Sequence, residues 1–172
     1  RDSAWLPDGT PYIVMDFMPH GSLKDRMETG QLAPSLHRRV LEEMCDALDC
    51  IHEKNIVHLD LKPSNILFDR ADHVRIGDFG LARLVDGVCT DSVAAGTPGY
   101  MAPEQMHGGT AVDRRTDIYA LGVIAWQLLT GQHPSRSESL SESTLTPELV
   151  RALRKAFAQN PGDRYDSASE FL

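Results

Sequence analysis

The stretch His58-Leu59-Asp60-Leu61-Lys62-Pro63-Ser64-Asn65 sets a carboxylate, an ammonium group and a carboxamide close together, and Asp78-Phe79-Gly80 follows eighteen residues after Asp60. Held in a loop between two short strands, Asp60, Lys62 and Asn65 can converge on one small volume. The chemistry that uses such a set is phosphoryl transfer. Asp78 and the amide oxygen of Asn65 are hard oxygen donors of the kind Mg²⁺ accepts while keeping its waters. Asp60 is then left to take the proton from an attacking hydroxyl. Lys62 can neutralise charge on the transferring phosphoryl group, where positioning and electrostatics supply most of the catalysis.

The elements around these residues read as mostly α with a few short strands, an α+β chain. Tyr12-Ile13-Val14-Met15 is strand-like after the turn Leu6–Pro11. Ser22 suits the cap of a short helix from Leu23 to Glu28. Pro34 suits the first residue of a long helix to about Lys54, whose apolar positions Leu36, Val40, Leu41, Met44, Leu48 and Ile51 recur on one face. Ile56-Val57, Ile66-Leu67-Phe68 and Val74-Arg75-Ile76 are short strands separated by turn formers. The polar stretch Leu84–Gly99 reads as a functional loop. Ile118–Thr130 is apolar nearly all round, the pattern of a helix buried at a domain's centre, and Gly131 ends it. Ser135–Thr146 reads as a mobile loop. Thr146-Pro147-Glu148 opens an amphipathic helix through Phe157, and Ser167-Ala168-Ser169-Glu170 is a capping box for a final helix.

Composition excludes several functions. Seventeen basic against 25 acidic residues leave a net charge of −8, the wrong sign for non-specific nucleic-acid binding. No apolar run approaches the ~20 residues that span a bilayer, and the opening lacks a signal-peptide pattern. Cys45, Cys50 and Cys89 form no C-x-x-C pair, so neither a disulfide framework nor a zinc site is expected, and a cytoplasmic location is the expectation for this segment. His20, His37, His52, His73, His107 and His133 show no metal-ligand spacing. The chain starts at Arg1 and reads as a fragment.

His-x-Asp-x-Lys-x-x-Asn at 58–65, then Asp-Phe-Gly at 78–80, then Ala102-Pro103-Glu104 resemble the eukaryotic-type protein kinase signature set, in order and at ordinary separations. Lys62 two residues after Asp60, and Gly96-Thr97-Pro98 leading into the third motif, resemble the serine/threonine branch. The likeness covers nearly the whole chain. It implies a kinase large (C-terminal) lobe over 19–172, with a catalytic loop at 58–65 and an activation segment at 78–104. Residues 1–18 would be a remnant of small-lobe strands and the hinge, with most of the N-terminal lobe absent. ATP, Mg²⁺ and a protein substrate with a Ser or Thr acceptor follow from the resemblance.

Carried over by position, the resemblance gives Asp60 the role of catalytic base and Lys62 that of phosphate stabiliser. Asn65 and Asp78 become metal ligands, and Thr97 the hydroxyl that bonds Asp60 and Lys62. Met15, Asp16 and Met18 match the adenine-holding hinge, Leu67 and Leu23 the apolar floor beneath it, and Ser22 a ribose contact. Glu104 and Arg164 resemble a structural ion pair. Asp117 resembles a buried carboxylate bonding the backbone near His58, and His58 itself is expected to pack on Phe79.

Three departures stand out. Leu59 occupies the place where the family usually has Arg, which removes the usual partner for a phosphate on Thr90 or Ser92. The 172 residues contain no glycine-rich loop, strand lysine or helix glutamate, so this segment alone is expected to be inactive or weak. The Ser-rich stretch at 135–146 replaces a helix that docks partners. The leading expectation is therefore a serine/threonine kinase catalytic lobe, and the alternative is a pseudokinase-like or truncated lobe acting as a protein-binding module. Val14, Met15, Leu67 and Phe79 are expected to lie open unless a small lobe in cis or a partner in trans covers them.

Overall fold

The computed structural model describes residues 2–84, 96–106, 112–134 and 145–172. An antiparallel hairpin comes first, β1 (Asp2–Trp5) against β2 (Pro11–Val14), with Ala4 opposite Tyr12. The sequence pattern shows β2; β1 is strand only because it pairs with it. Helix α1 (Leu23–Thr29) starts as expected. The Ser22 side chain accepts from the Asp25 amide, and the Asp25 side chain bonds back to the Ser22 amide. Gly30, at φ +67°, supplies the left-handed residue that ends it.

The long helix departs slightly from its sequence expectation. Pro34–Leu36 winds as a 3₁₀ turn, and α2 proper runs His37–His52. Its end comes two residues before Lys54, because the chain turns back through Asn55 at φ +56°. The strands β3 (Ile56–Val57), β4 (Ile66–Phe68) and β5 (Val74–Ile76) lie where the sequence puts them. β4 and β5 pair antiparallel with Leu67 opposite Arg75. β3 instead pairs with β6 (Arg83–Leu84), a two-residue strand with no sequence signal of its own.

The remaining helices are α3 (Pro103–Met106), α4 (Arg114–Thr130) and α5 (Pro147–Ala156). α4 begins four residues before Ile118 because the Asp113 carboxylate caps the Arg115 amide at 2.7 Å. Arg114 and Arg115 therefore belong to the helix. Its apolar girth is explained by burial: Ile118, Leu121, Ile124 and Trp126 are all core. Gly122 lets α5 approach closely, since a Cβ there would meet the Ala156 Cβ at 2.7 Å. The Thr146 hydroxyl caps α5 as its sequence suggests. The expected final helix is a single 3₁₀ turn, Ser169–Phe171. Ser167 Oγ accepts from the Glu170 amide, but the Glu170 carboxylate returns to the amide of Asp166, so the capping box does not close.

One core unites these elements. Val40, Met44 and Leu48 of α2, Leu23 of α1, Ile66 and Phe68 of β4, Ile118, Leu121 and Ile124 of α4, and Leu153 of α5 form it. Among the described residues no helix is long and apolar enough to cross a membrane. Cys89, Thr90, Ser92, most of the Leu84–Gly99 stretch and residues 135–144 of the Ser-rich stretch lie outside the described residues.

Candidate active site

The loop between β3 and β4 turns on Leu59, whose φ of +67° is left-handed, a costly conformation for a bulky side chain. Both of its backbone groups are held. Its amide donates to Asp117 Oδ1 at 2.9 Å, and its carbonyl accepts from Gln105 Nε2 at 2.8 Å. The His58 amide donates to Asp117 Oδ2 at 2.8 Å, the arrangement expected of Asp117. The His58 ring is buried, lies edge-on to Phe79 at 4.9 Å between centroids, and bonds the Gly77 carbonyl at 3.0 Å. Its Nδ1 accepts from the Asp60 amide at 3.3 Å, so the ring buttresses the turn.

The turn delivers Asp60 and Lys62 to one point. Lys62 Nζ donates to Asp60 Oδ2 at 2.7 Å and to Thr97 Oγ1 at 2.8 Å, while Thr97 Oγ1 donates to Asp60 Oδ1 at 2.7 Å. Residues 35 and 37 positions apart thus close a triangle of carboxylate, ammonium and hydroxyl. Burial pushes the Asp60 carboxyl up, but the hydrogen bonds from Lys62 and Thr97 and the ammonium charge outweigh it, and its pKa lies below the ordinary carboxylate value. A carboxylate so held is ionised at neutral pH.

The β4–β5 pairing continues one step beyond the strands: the Gly77 amide, in the residue before Asp78, donates to the Asn65 carbonyl at 2.8 Å. Asn65 Nδ2 donates to the Asp60 carbonyl at 2.9 Å, so the other end of the amide, Oδ1, presents an oxygen whose one recorded bond, from Ser64 Oγ, is long at 3.4 Å. The Asp78 carboxylate is exposed, on a residue at φ +61°. Among the described residues no group of three or more His, Cys, Asp or Glu side chains could hold a metal by itself. One amide oxygen and one carboxylate instead suit Mg²⁺, which takes few protein oxygens and completes its shell with water and phosphate.

The expected nucleotide-side residues are placed unevenly. The segment after β2 crosses β4, with the Phe68 amide donating to the Gly21 carbonyl at 3.0 Å and Ser22 bridging to Leu67. Met15 is 65% exposed, Met18 half-buried, and the Met18 carbonyl takes a long bond from the Gly21 amide. Leu67 is half-buried, against Gly77. Two expectations need correction. Ser22 is buried and its hydroxyl is committed to Asp25 by the capping box, at 2.6 Å, so its side chain is not free for a ribose. Leu23 is fully buried in the core and does not line an open floor.

The Glu104–Arg164 pair is buried and bidentate, at 2.6 and 2.8 Å, and Thr116 Oγ1 adds a bond to Glu104. Arg164 also donates to the carbonyls of Arg115, Ala158 and Gln159. Gln105 was not singled out by the sequence. Besides holding Leu59 it accepts from the Ala102 amide at 3.0 Å, tying α3 to the catalytic turn. Its only local signal is adjacency to the Ala102-Pro103-Glu104 motif.

A family model of the protein kinase domain matches residues 3–170. The serine/threonine-protein kinase Pkn1 of Myxococcus xanthus is 40% identical over 185 residues, covering 94% of this chain and 26% of that protein. The chain belongs to the eukaryotic-type serine/threonine protein kinase family. The serine/threonine-protein kinase PknB of Mycolicibacterium smegmatis is 34% identical over 190 residues, 97% of this chain and 30% of that kinase. PknB of Mycobacterium tuberculosis is 33% identical over 182 residues, 93% of this chain and 29% of that kinase. The chain thus spans less than a third of the length of these kinases.

Proposed function

We propose that the protein to which this sequence belongs transfers the γ-phosphoryl group of ATP to Ser or Thr hydroxyls of protein substrates. The observation that carries this reading is the Asp60–Lys62–Thr97 triangle, with the Asn65 amide bonded to the Asp60 carbonyl. A substrate hydroxyl approaching Asp60 gives up its proton to the carboxylate as its oxygen bonds to the γ-phosphorus. The bond from that phosphorus to the β–γ bridging oxygen breaks, and ADP leaves. An ionised Asp60 is the state this step needs. Lys62 sets a positive charge beside the reacting group, and Thr97 fixes both partners, so that little reorganisation is left for the transition state.

Asn65 Oδ1 and the Asp78 carboxylate would hold Mg²⁺, which neutralises phosphate charge. The backbone of Met15–Met18 and the Leu67 side chain would receive the adenine. The 172 residues contain no glycine-rich loop or strand lysine, so this segment by itself should bind ATP weakly. The test is transfer of γ-labelled phosphate from ATP to Ser/Thr peptides by the full natural protein. Asp60→Asn should lower kcat by about 10²-fold or more, the share of a general base. No labelled peptide, or an Asp60→Asn enzyme as fast as wild type, would overturn the assignment.

A further inference from the structure

The segment that follows the candidate hinge is fastened to β4 at Phe68. The Phe68 amide donates to the Gly21 carbonyl at 3.0 Å, and the His20 amide donates to the Phe68 carbonyl at 3.4 Å. Arg26 of α1 holds both sides of this crossing. Its Nε donates to the His20 carbonyl at 3.3 Å, and its guanidinium lies 3.6 Å from the centroid of the buried Phe68 ring. The Arg26 side chain is 12% exposed, and a cation so covered needs a partner. Asp72 supplies one by accepting from Arg26 Nη2. Asp72 sits at φ +66° in the turn between β4 and β5, and Arg39 of α2 donates to its Oδ2 at 3.0 Å and to its carbonyl at 3.1 Å. The bond from Arg26 holds the Asp72 carboxyl below the ordinary carboxylate value, so the partner is charged at neutral pH.

We propose that Arg26 is a positioning residue for ATP binding, a role that rests on reading the Met15–Met18 backbone and Leu67 as the adenine seat. Met18 lies two residues before His20, and Leu67 is the residue before Phe68. The two halves of that seat are therefore joined at the crossing Arg26 holds. One of the two backbone bonds there is long, so by themselves they set the spacing loosely. A planar guanidinium fixes it, because its face stacks on one half while its Nε–H holds the other. The Asp60–Lys62–Thr97 triangle closes without Arg26. Loosening the crossing thus removes binding shared by ground state and transition state, which raises KM and leaves kcat alone.

The test uses the full natural protein with three variants. Arg26→Met keeps an apolar stem against Phe68 and loses every donor. Arg26→Lys keeps the charge as a compact ammonium with no plane to stack. Arg39→Met frees the Asp72 turn from α2 but leaves Arg26 its contacts with His20 and Phe68, and it serves as the control for general loosening. Both Arg26 variants should raise KM for ATP about fivefold, the size of one lost hydrogen bond. Their kcat and their KM for peptide should stay within about twofold of wild type. Arg39→Met should lower Tm and keep KM for ATP within about twofold of wild type. Amide exchange should quicken about tenfold at His20 and Phe68 in the Arg26 variants and not in Arg39→Met. If Arg26→Met does not fold, Arg26→Lys carries the comparison.

A wild-type KM for ATP in Arg26→Met would overturn the proposal. So would a peptide KM that rises as much as that for ATP, or an Arg39→Met protein whose KM for ATP rises as far as theirs. A wild-type KM in Arg26→Lys would show that charge alone suffices, and would end the role given to the stacked fork. A wild-type protein that transfers no phosphate would overturn the kinase reading instead. The exchange comparison then decides whether Arg26 holds the crossing, and unchanged exchange at His20 and Phe68 would end that too.

Discussion

At the scale of single residues the site depends on how Asp60 stays ionised while half-buried. The hydrogen bonds from Lys62 and Thr97 hold its pKa below the ordinary value against the opposing effect of burial. A base with a depressed pKa is deprotonated through more of the acid range. In the full natural protein kcat should therefore stay level as pH falls from about 8 to about 5, with its acid limb below the ~3.9 of a free Asp. Thr97→Ala removes one of the groups that lower that pKa, so the limb should move to higher pH and the plateau fall by about tenfold, as for a hydrogen bond to a charged group. Thr97→Ser keeps the hydroxyl and should keep both. A pH–kcat profile of the three proteins checks this; an unmoved limb in Thr97→Ala would show that the triangle does not tune the base.

At the scale of elements, what holds the site is a set of ties between segments far apart in sequence. Glu104 on α3 and Arg164 beyond α5 are 60 positions apart and almost wholly buried. Removing one member of such a pair leaves an uncompensated charge. Glu104→Ala should cost about 3–5 kcal/mol in denaturant unfolding. Replacing both partners with apolar residues often rescues a buried pair, but here it would strand the carbonyls of Arg115, Ala158 and Gln159 that Arg164 serves. The double variant should therefore remain destabilised, and a double variant as stable as wild type would show that those carbonyl bonds count for nothing. The same division explains what could be read in advance. The Ser22 cap, the apolar stripe of α2, the all-round apolar α4 and the spacing of Asp60, Lys62, Asn65 and Asp78 are local patterns, and the structure keeps them. β6, Gln105 and the inward turn of Leu23 depend on partners 26 to 46 positions away or on depth in the core, for which a short window carries no signal. Ser22 shows the hazard of position alone. Its place suggested a ligand contact, while its own local capping signal described what the hydroxyl does.

At the scale of the whole molecule the weak region is the hairpin. All four residues of β2 are exposed, so both faces of a two-stranded sheet lie open among the described residues. Ile13 is 71% exposed and Phe17 just beyond it 79%, and Trp5 and Met15 are open as well. Val14 and Phe79 are exposed as their sequence context suggested, while Leu67 is only half so. An isolated two-stranded hairpin is marginal in water. Each 100 Å² of apolar surface that a partner covers would add about 2.5 kcal/mol, a large increment beside the ~5–15 kcal/mol of a whole domain. The 172-residue segment on its own should therefore bind a hydrophobic dye and self-associate as its concentration rises, while amides of β1 and β2 exchange far faster than those of α4. Trp5→Lys with Phe17→Lys should suppress both dye binding and association without unfolding the helical core. Dye fluorescence and sedimentation across a concentration series decide it. A segment that stays monomeric and dye-free would mean that the open face needs no cover.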